Sequence, residues 1–228
     1  MVIDMGYSLE QMSFFTTCIG KSKFALDGKK MVELGNQHIK LCAKIHYNIK
    51  NKVAKDYFLS LGVVEHLSLD KNGRDGALSV DLGKPLAKQL PTGHNHFDIL
   101  TNVGTSEHVE PIGRQYECFR NMHYLVRPGG IFIHIVPKWF NWKYHCLIRY
   151  EKGFFSWLAK KNNYEIIELS TIDGKKPNFK SIGVCMRKNK NNNFISVEKW
   201  NGSKIFVSKI GRVVGKKKGT LLSDENYW

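Results

Sequence analysis

FDILTNVGTSEHV, residues 97–109, reads as a core strand that breaks into a polar, glycine-containing loop. Phe97, Ile99, Leu100 and Val103 suit a strand buried in a sheet, and Gly104 ends it. Polar residues at the carboxyl end of such a strand are candidates for function, because loops on a rigid scaffold carry chemistry. Asn102 can bond a ligand amino group. Histidine titrates near neutrality, so His108 is the candidate base, with Glu107 orienting it and His134 or His145 in reserve.

Working outward, strands and helices alternate. KKMVELG (29–35), VVEHLSLD (63–70) and ALSVDL (77–82) precede the central strand as three more, and IFIHIVP (131–137) follows it as the fifth. YEIIELSTI (164–172) and SIGVCMR (181–187) form a strand pair around Asp173-Gly174. Between them, Ser8 caps a helix with Leu9, Met12, Phe15 and Ile19 on one face. Leu41, Ile45, Ile49, Val53, Tyr57 and Leu61, spaced by four, predict one long helix over 39–61, with Gly62 at its end. Pro85 opens a short helix. Residues 111–126 are helical up to the Arg127-Pro128-Gly129-Gly130 turn, and 153–163 form another helix. ISVEKW (195–200) and KIFVSKI (204–210) flank Asn201-Gly202-Ser203 as a C-terminal hairpin.

This order predicts a mostly parallel sheet with helices on both faces and right-handed crossovers. Ligands bind such sheets beyond the carboxyl ends of the strands, where strand order reverses. Functional residues are therefore expected just after positions 35, 70, 82, 102 and 136.

The chain has 228 residues, 42% of them hydrophobic and 12% aromatic, enough for one packed domain. That composition excludes a disordered chain, a collagen-like chain and a disulfide scaffold. Its five cysteines lie far apart without a C-x-x-C pair, which fits a reducing compartment, and a cytoplasmic location is expected. No transmembrane span or signal peptide is read. The net charge of +15 is uneven: from Met186 to Trp228, ten Lys/Arg face three acids. A basic tail of this kind leaves nucleic acid open as a partner.

Each strand end carries a candidate. Glu33, Gly35, Asn36 and Gln37 stand where backbone can approach a ligand closely, although the G-x-G-x-x-G spacing of a dinucleotide site is missing. Asp70, followed by Lys71, can accept both hydroxyls of a ribose. Asp81 can receive an adenine amino group, and Leu82 can pack on the ring. His94-Asn95-His96 has metal-ligand spacing but no evident third ligand, so no metal site is expected.

Taken in order, Glu33…Gly35, Asp70, Asp81-Leu82, Asn102…His108 and LVRPGGIFIHIVP (125–137) resemble a class I S-adenosylmethionine-dependent methyltransferase. The resemblance covers about 29–187. It implies a Rossmann-like, seven-stranded sheet with an antiparallel last pair and S-adenosylmethionine as cofactor. Gly35 would border the methionine end, Asp70 the ribose and Asp81-Leu82 the adenine, with Asn102 and Gly104 on the far wall. It also implies a substrate-covering segment after the fifth strand, where Trp139, Tyr144 and His145 are candidate acceptor contacts. The chain departs from the family's usual E/D-x-G-x-G-x-G, having Asn36, Gln37, His38 and Ile39 after Gly35.

On this reading, 1–188 form a methyltransferase-like domain with 1–28 as a helical lead-in, and 189–228 form a basic extension. The Asn/Asp-Pro-Pro-aromatic sequence of adenine-amine methylating enzymes is absent at 102–105, and Cys118 follows Glu117 rather than the proline that precedes a cytosine-ring nucleophile. A small-molecule acceptor, methylated on a hydroxyl or amine, is therefore expected. The alternatives are a basic nucleic-acid-binding or RNA-modifying protein and a non-catalytic cofactor-binding relative. The sequence leaves the oligomeric state open.

Overall fold

The structure, a computed structural model, describes residues 6–86, 89–90, 94–142, 145–175 and 178–201. Its strands are β1 (Gly6–Tyr7), β2 (Lys30–Leu34), β3 (His38–Ile39), β4 (Glu65–Leu69), β5 (Phe97–Val103), β6 (Val126–Pro137), β7 (Tyr164–Ile172) and β8 (Ser181–Lys188). Its helices are α1 (Leu9–Ser22), α2 (Leu41–His46), α3 (Ala54–Ser60), α4 (Gln115–Leu125), α5 (Lys152–Asn162) and α6 (Val197–Asn201).

Six strands form the main sheet in the order β4-β2-β5-β6-β8-β7. β4, β2, β5 and β6 are parallel, and β8 runs antiparallel to both neighbours. The expected antiparallel last pair is therefore present. Alternation along the strands sorts side chains into two apolar layers. On one face Phe132, Val136, Val184 and Met186 pack with Phe119 of α4 and Phe154 and Phe155 of α5. On the other, Met31, Ile99, Ile133 and Cys185 pack with Phe15 of α1 and Phe58 of α3.

Three expectations are corrected. Residues 77–82 do not form a seventh strand; they touch β4 through a single bridge, Leu69 to Leu78. The chain leaves the sheet edge at Asp81, whose N–H goes to Gln89 Oε1 and whose carboxylate takes the Gly83 N–H, so the polar groups of a ladder are spent on a turn.

The long helix over 39–61 is two short helices. Asn48 sits at φ 51°, and residues after it double back so that Ile39 N–H reaches Lys52 O at 2.8 Å and Ala54 N–H reaches Gln37 O at 2.9 Å. Leu41 and Ile45, which the four-residue spacing placed in the core, are 71% and 73% exposed.

The first half of the expected C-terminal hairpin is helical. Phe194 and Ile195 join the core, and Trp200 of α6 packs against the rings of Phe119, Phe154, Trp157 and Phe194, so burial of the aromatic face selects helix over strand. The second half, 204–210, lies outside the described residues, as does most of the basic tail.

β2 leads out to β4 on one side, while β5 returns on the other side of β2. Strand order therefore reverses between β2 and β5, and the carboxyl ends of these strands border one cavity.

Candidate functional site

A cavity of about 420 Å³ opens at this reversal, within the range of small-molecule sites. Its walls come from three strand ends and the segment that runs along the sheet edge. After β2 stand Gly35, Asn36 and Gln37; after β4, Asp70, Lys71 and Asn72; from the edge segment, Val80, Asp81 and Leu82; after β5, Gly104, Thr105 and His108. Eight of the ten residues expected to hold the cofactor thus line one space. Glu33 and Asn102 do not; both are buried behind it.

The first loop owes its shape to backbone and to Gln37. Gly35 has φ 83°, and a Cβ there would stand 2.4 Å from Gln37 Nε2 and 2.7 Å from Thr105 Oγ1. Gln37 is only 2% exposed, and its Nε2 donates to Leu34 O at 3.3 Å and Thr105 Oγ1 at 3.2 Å. Thr105 Oγ1 in turn donates to Leu34 O at 2.8 Å, which ties the loops after β2 and β5 together. Where a glycine run would leave this space open, Gln37 fills it. Glu33 Oε2 accepts the Gln37 N–H at 3.3 Å, and burial raises the Glu33 pKa well above the usual carboxylate range.

Asp70 connects two loops. Its Oδ2 accepts the Asn36 N–H at 3.2 Å and its Oδ1 the Asn72 N–H at 2.9 Å. Each oxygen has a further lone pair, so the side chain is held in place with acceptor capacity left over. Asp81 is paired with Arg114, which also lines the cavity. Partial burial pushes its pKa up, but Arg114 and the Gly83 N–H outweigh that and hold it below the usual range. Arg114 is a lining residue that the sequence does not single out. It precedes α4 without any local signature, and only the fold brings it across to Asp81.

Beyond Gly104 the loop winds into a short 3-10 turn, Ser106–His108. Asn102 fixes its start: Oδ1 accepts the Ser106 N–H at 3.0 Å, while Nδ2 donates to Ser106 Oγ at 2.8 Å and His134 Nδ1 at 3.1 Å. That leaves His134 neutral, 1% exposed and lining neither cavity; burial lowers its pKa to about 3. His108 lies on the wall of the large cavity. Glu107 points instead into a second, small space of about 30 Å³ that His145, Trp142 and Gly104 also line. Glu107 is fully buried, neither carboxyl oxygen has a hydrogen-bond partner, and burial raises its pKa to about 8. The His108 and His145 rings meet edge to face, with centroids 5.0 Å apart. Trp139 packs on Phe140 and lines neither space; Tyr144 lies outside the described residues.

The pair His94 and His96 is divided between different partners: His94 stacks on Tyr124, and His96 bonds Glu65 at 2.8 Å. Among the described residues, no helix is long and apolar enough to cross a membrane.

No protein-family model matches the chain, and no curated protein matches it in sequence. Solved structures do match in fold. The N-methyltransferase NodS from Bradyrhizobium japonicum, in complex with S-adenosyl-L-homocysteine, aligns with a TM-score of 0.54 at 13% identity, over 79% of this chain and 88% of that one. The 1,6-didemethyltoxoflavin-N1-methyltransferase from Burkholderia thailandensis aligns with a TM-score of 0.51 at 12% identity, over 76% and 78%. The [4+2]-cyclase SpnF aligns with a TM-score of 0.51 at 14% identity, over 82% and 87%. The chain therefore has the fold of class I S-adenosylmethionine-dependent methyltransferases, a fold that also serves a cyclase.

Proposed function

We propose that this chain, built on the class I methyltransferase fold, transfers the methyl group of S-adenosylmethionine to a hydroxyl or amine of a small-molecule acceptor. One observation carries the reading: Asp70, Asp81-Leu82, Gly35 and Gly104 border a single cavity at the reversal of strand order. Fold alone does not assign function, so the support comes from these side chains.

Each group has a use for an adenosine-bearing cation. Asp70 has lone pairs left for two ribose hydroxyls. Asp81 has Oδ2 left to accept from an adenine amino group, with Leu82 and Val80 as the apolar wall for the ring. Gly35 and Gly104 let the methionine end approach backbone.

The chain's part in the reaction is alignment. An acceptor entering beside His108 meets the methyl group in line with its bond to sulfur; the new bond forms as the carbon–sulfur bond breaks, its electron pair staying on sulfur. Positioning of this kind removes about 7–11 kcal/mol of barrier in well-oriented systems. The acceptor's proton is lost at that edge, where Glu107, His108 and His145 stand together.

Thermal unfolding with S-adenosylhomocysteine tests the reading. Ligand at about 100 times its Kd adds about 2.7 kcal/mol to the stability of a protein that binds it only when folded. A clear rise in Tm is expected for the native chain and its loss for Asp70→Ala. No rise with the native chain, or an equal rise with the variant, overturns the assignment.

A further inference from the structure

We propose that Glu107, His108 and His145 bind one divalent transition-metal ion of the zinc or manganese type, and that the acceptor is a hydroxyl compound that ligates it. One potential ligand atom from each of the three residues lies within 4.8 Å of the others. A carboxylate with two imidazoles is a donor set for transition ions, whereas magnesium and calcium favour oxygen alone.

The second, independent observation is the state of Glu107. A fully buried carboxyl group with no hydrogen-bond partner on either oxygen is an expensive arrangement, and a cation that binds its ionised form resolves it. Lys40 and Gln11 also border the small cavity, yet neither donates to Glu107. The space of about 30 Å³ into which Glu107 and His145 open has room for an ion.

The sites adjoin. Consecutive residues of one tight turn send Glu107 to the small cavity and His108 to the large one, with Gly104 on both walls. Ligands around zinc stand about 3–3.5 Å apart, so the three must draw together. Glu107 is fixed by burial, while His108 is exposed and His145 half-buried, so the two imidazoles are the groups that turn toward the ion.

The catalytic use of the ion rests on the methyl-transfer reading; its binding does not. A hydroxyl on a divalent ion is more acidic than in water. Its proton passes to solvent, and the oxygen's electron pair forms the bond to the methyl carbon as the carbon–sulfur bond breaks. The products are a methyl ether and S-adenosylhomocysteine. His108 and His145 then serve as ligands, which confines the acceptor to compounds that offer the ion an oxygen.

The test is calorimetric titration of tag-free, chelator-treated protein with zinc chloride and manganese chloride. One ion per chain is expected, with affinity at least tenfold weaker in Glu107→Gln and in His145→Ala. Neither residue borders the large cavity, so the S-adenosylhomocysteine shift in Tm should persist in both. If Glu107→Gln does not fold, the more exposed His145→Ala carries the comparison. Absence of stoichiometric binding, or unchanged binding in the variants, overturns the metal site. Ion binding without any S-adenosylhomocysteine shift leaves the metal site standing and removes the methyl-transfer reading; the reverse pattern removes the metal site alone.

Discussion

Arg114 and Asp81 form an ion pair on the cavity wall, with Nη2 of Arg114 donating to Oδ1 of Asp81. The Gly83 N–H donates to the same oxygen at 3.1 Å. Both contacts converge on Oδ1, and neither occupies Oδ2 of this cavity-lining residue. Arg114 is thus a positioning residue for the adenine end. Immobilising a side chain on binding costs about 0.5–1.5 kcal/mol, so Arg114→Gln should weaken S-adenosylhomocysteine about three- to tenfold by calorimetry. A loss beyond about a hundredfold would instead mean that Arg114 touches the ligand itself.

Gly35 makes a sharper prediction. Its φ is 83°, and Gln37 Nε2 lies 2.4 Å from the place a Cβ would take, which leaves no room for a methyl group. Gly35→Ala should cost about 1–3 kcal/mol in urea unfolding and spoil the first loop as a binding wall. Gly113 has open space around it and an ordinary φ, so Gly113→Ala should leave stability within about 0.5 kcal/mol of the native chain. Equal effects at both positions would contradict close packing at Gly35.

Strand ends were the legible part of this molecule. Short apolar runs at 29–35, 63–70, 97–104 and 131–137 located β2, β4, β5 and β6, and residues just after the first three of them line the cavity. What could not be read depends on contacts distant in sequence. The four-residue spacing of Leu41 and Ile45 looks like a core stripe until Asn48 turns the chain. Gln37 looks like a defect in a glycine motif until Thr105 meets it. His108 and Glu107 look like a base and its orienter, but neighbouring residues in a tight turn face different cavities.

His66 of β4 is buried against Phe58, its two ring nitrogens have no partner, and burial, aided by Lys55, lowers its pKa to about 4. In the unfolded chain a histidine titrates near about 6.5. As pH falls from about 6.5 toward 4, the unfolded state takes up a proton that the folded state refuses, so His66 costs stability there and nothing above that window. Glu33 and Glu107, with raised pKa values, act in the opposite sense, so the difference between native chain and variant is the quantity to follow. His66→Leu should gain on the native chain by up to about 1.4 kcal/mol per pH unit between about pH 6 and 4.5. Urea unfolding at about pH 7.5, 6 and 5 measures it; a difference independent of pH would show that His66 takes up its proton at the same pH folded and unfolded.

Tyr150 supports the turn that carries Glu107 and His108. Its hydroxyl lies 2.9 Å from Ser106 Oγ and 2.8 Å from Gln115 Oε1. Ser106 Oγ already accepts from Asn102, so its own proton goes to Tyr150, whose proton goes to Gln115. Gln115 Nε2 closes the circuit by donating to Ser106 O and Val109 O, each at 2.8 Å. All four side chains are buried, and a network of this kind is costly to leave half satisfied. Tyr150→Phe removes one hydroxyl and strands Gln115 Oε1 and the Ser106 proton, which should cost about 1–3 kcal/mol in urea unfolding. Gln115→Leu cuts all three of that residue's bonds and should cost more. Because Asp70 and Gly35 lie outside this circuit, both variants should keep S-adenosylhomocysteine affinity within about threefold at temperatures where they remain folded, a difference of under about 0.7 kcal/mol. A large loss of affinity with unchanged stability would place the Tyr150 circuit in ligand binding rather than in support of the turn.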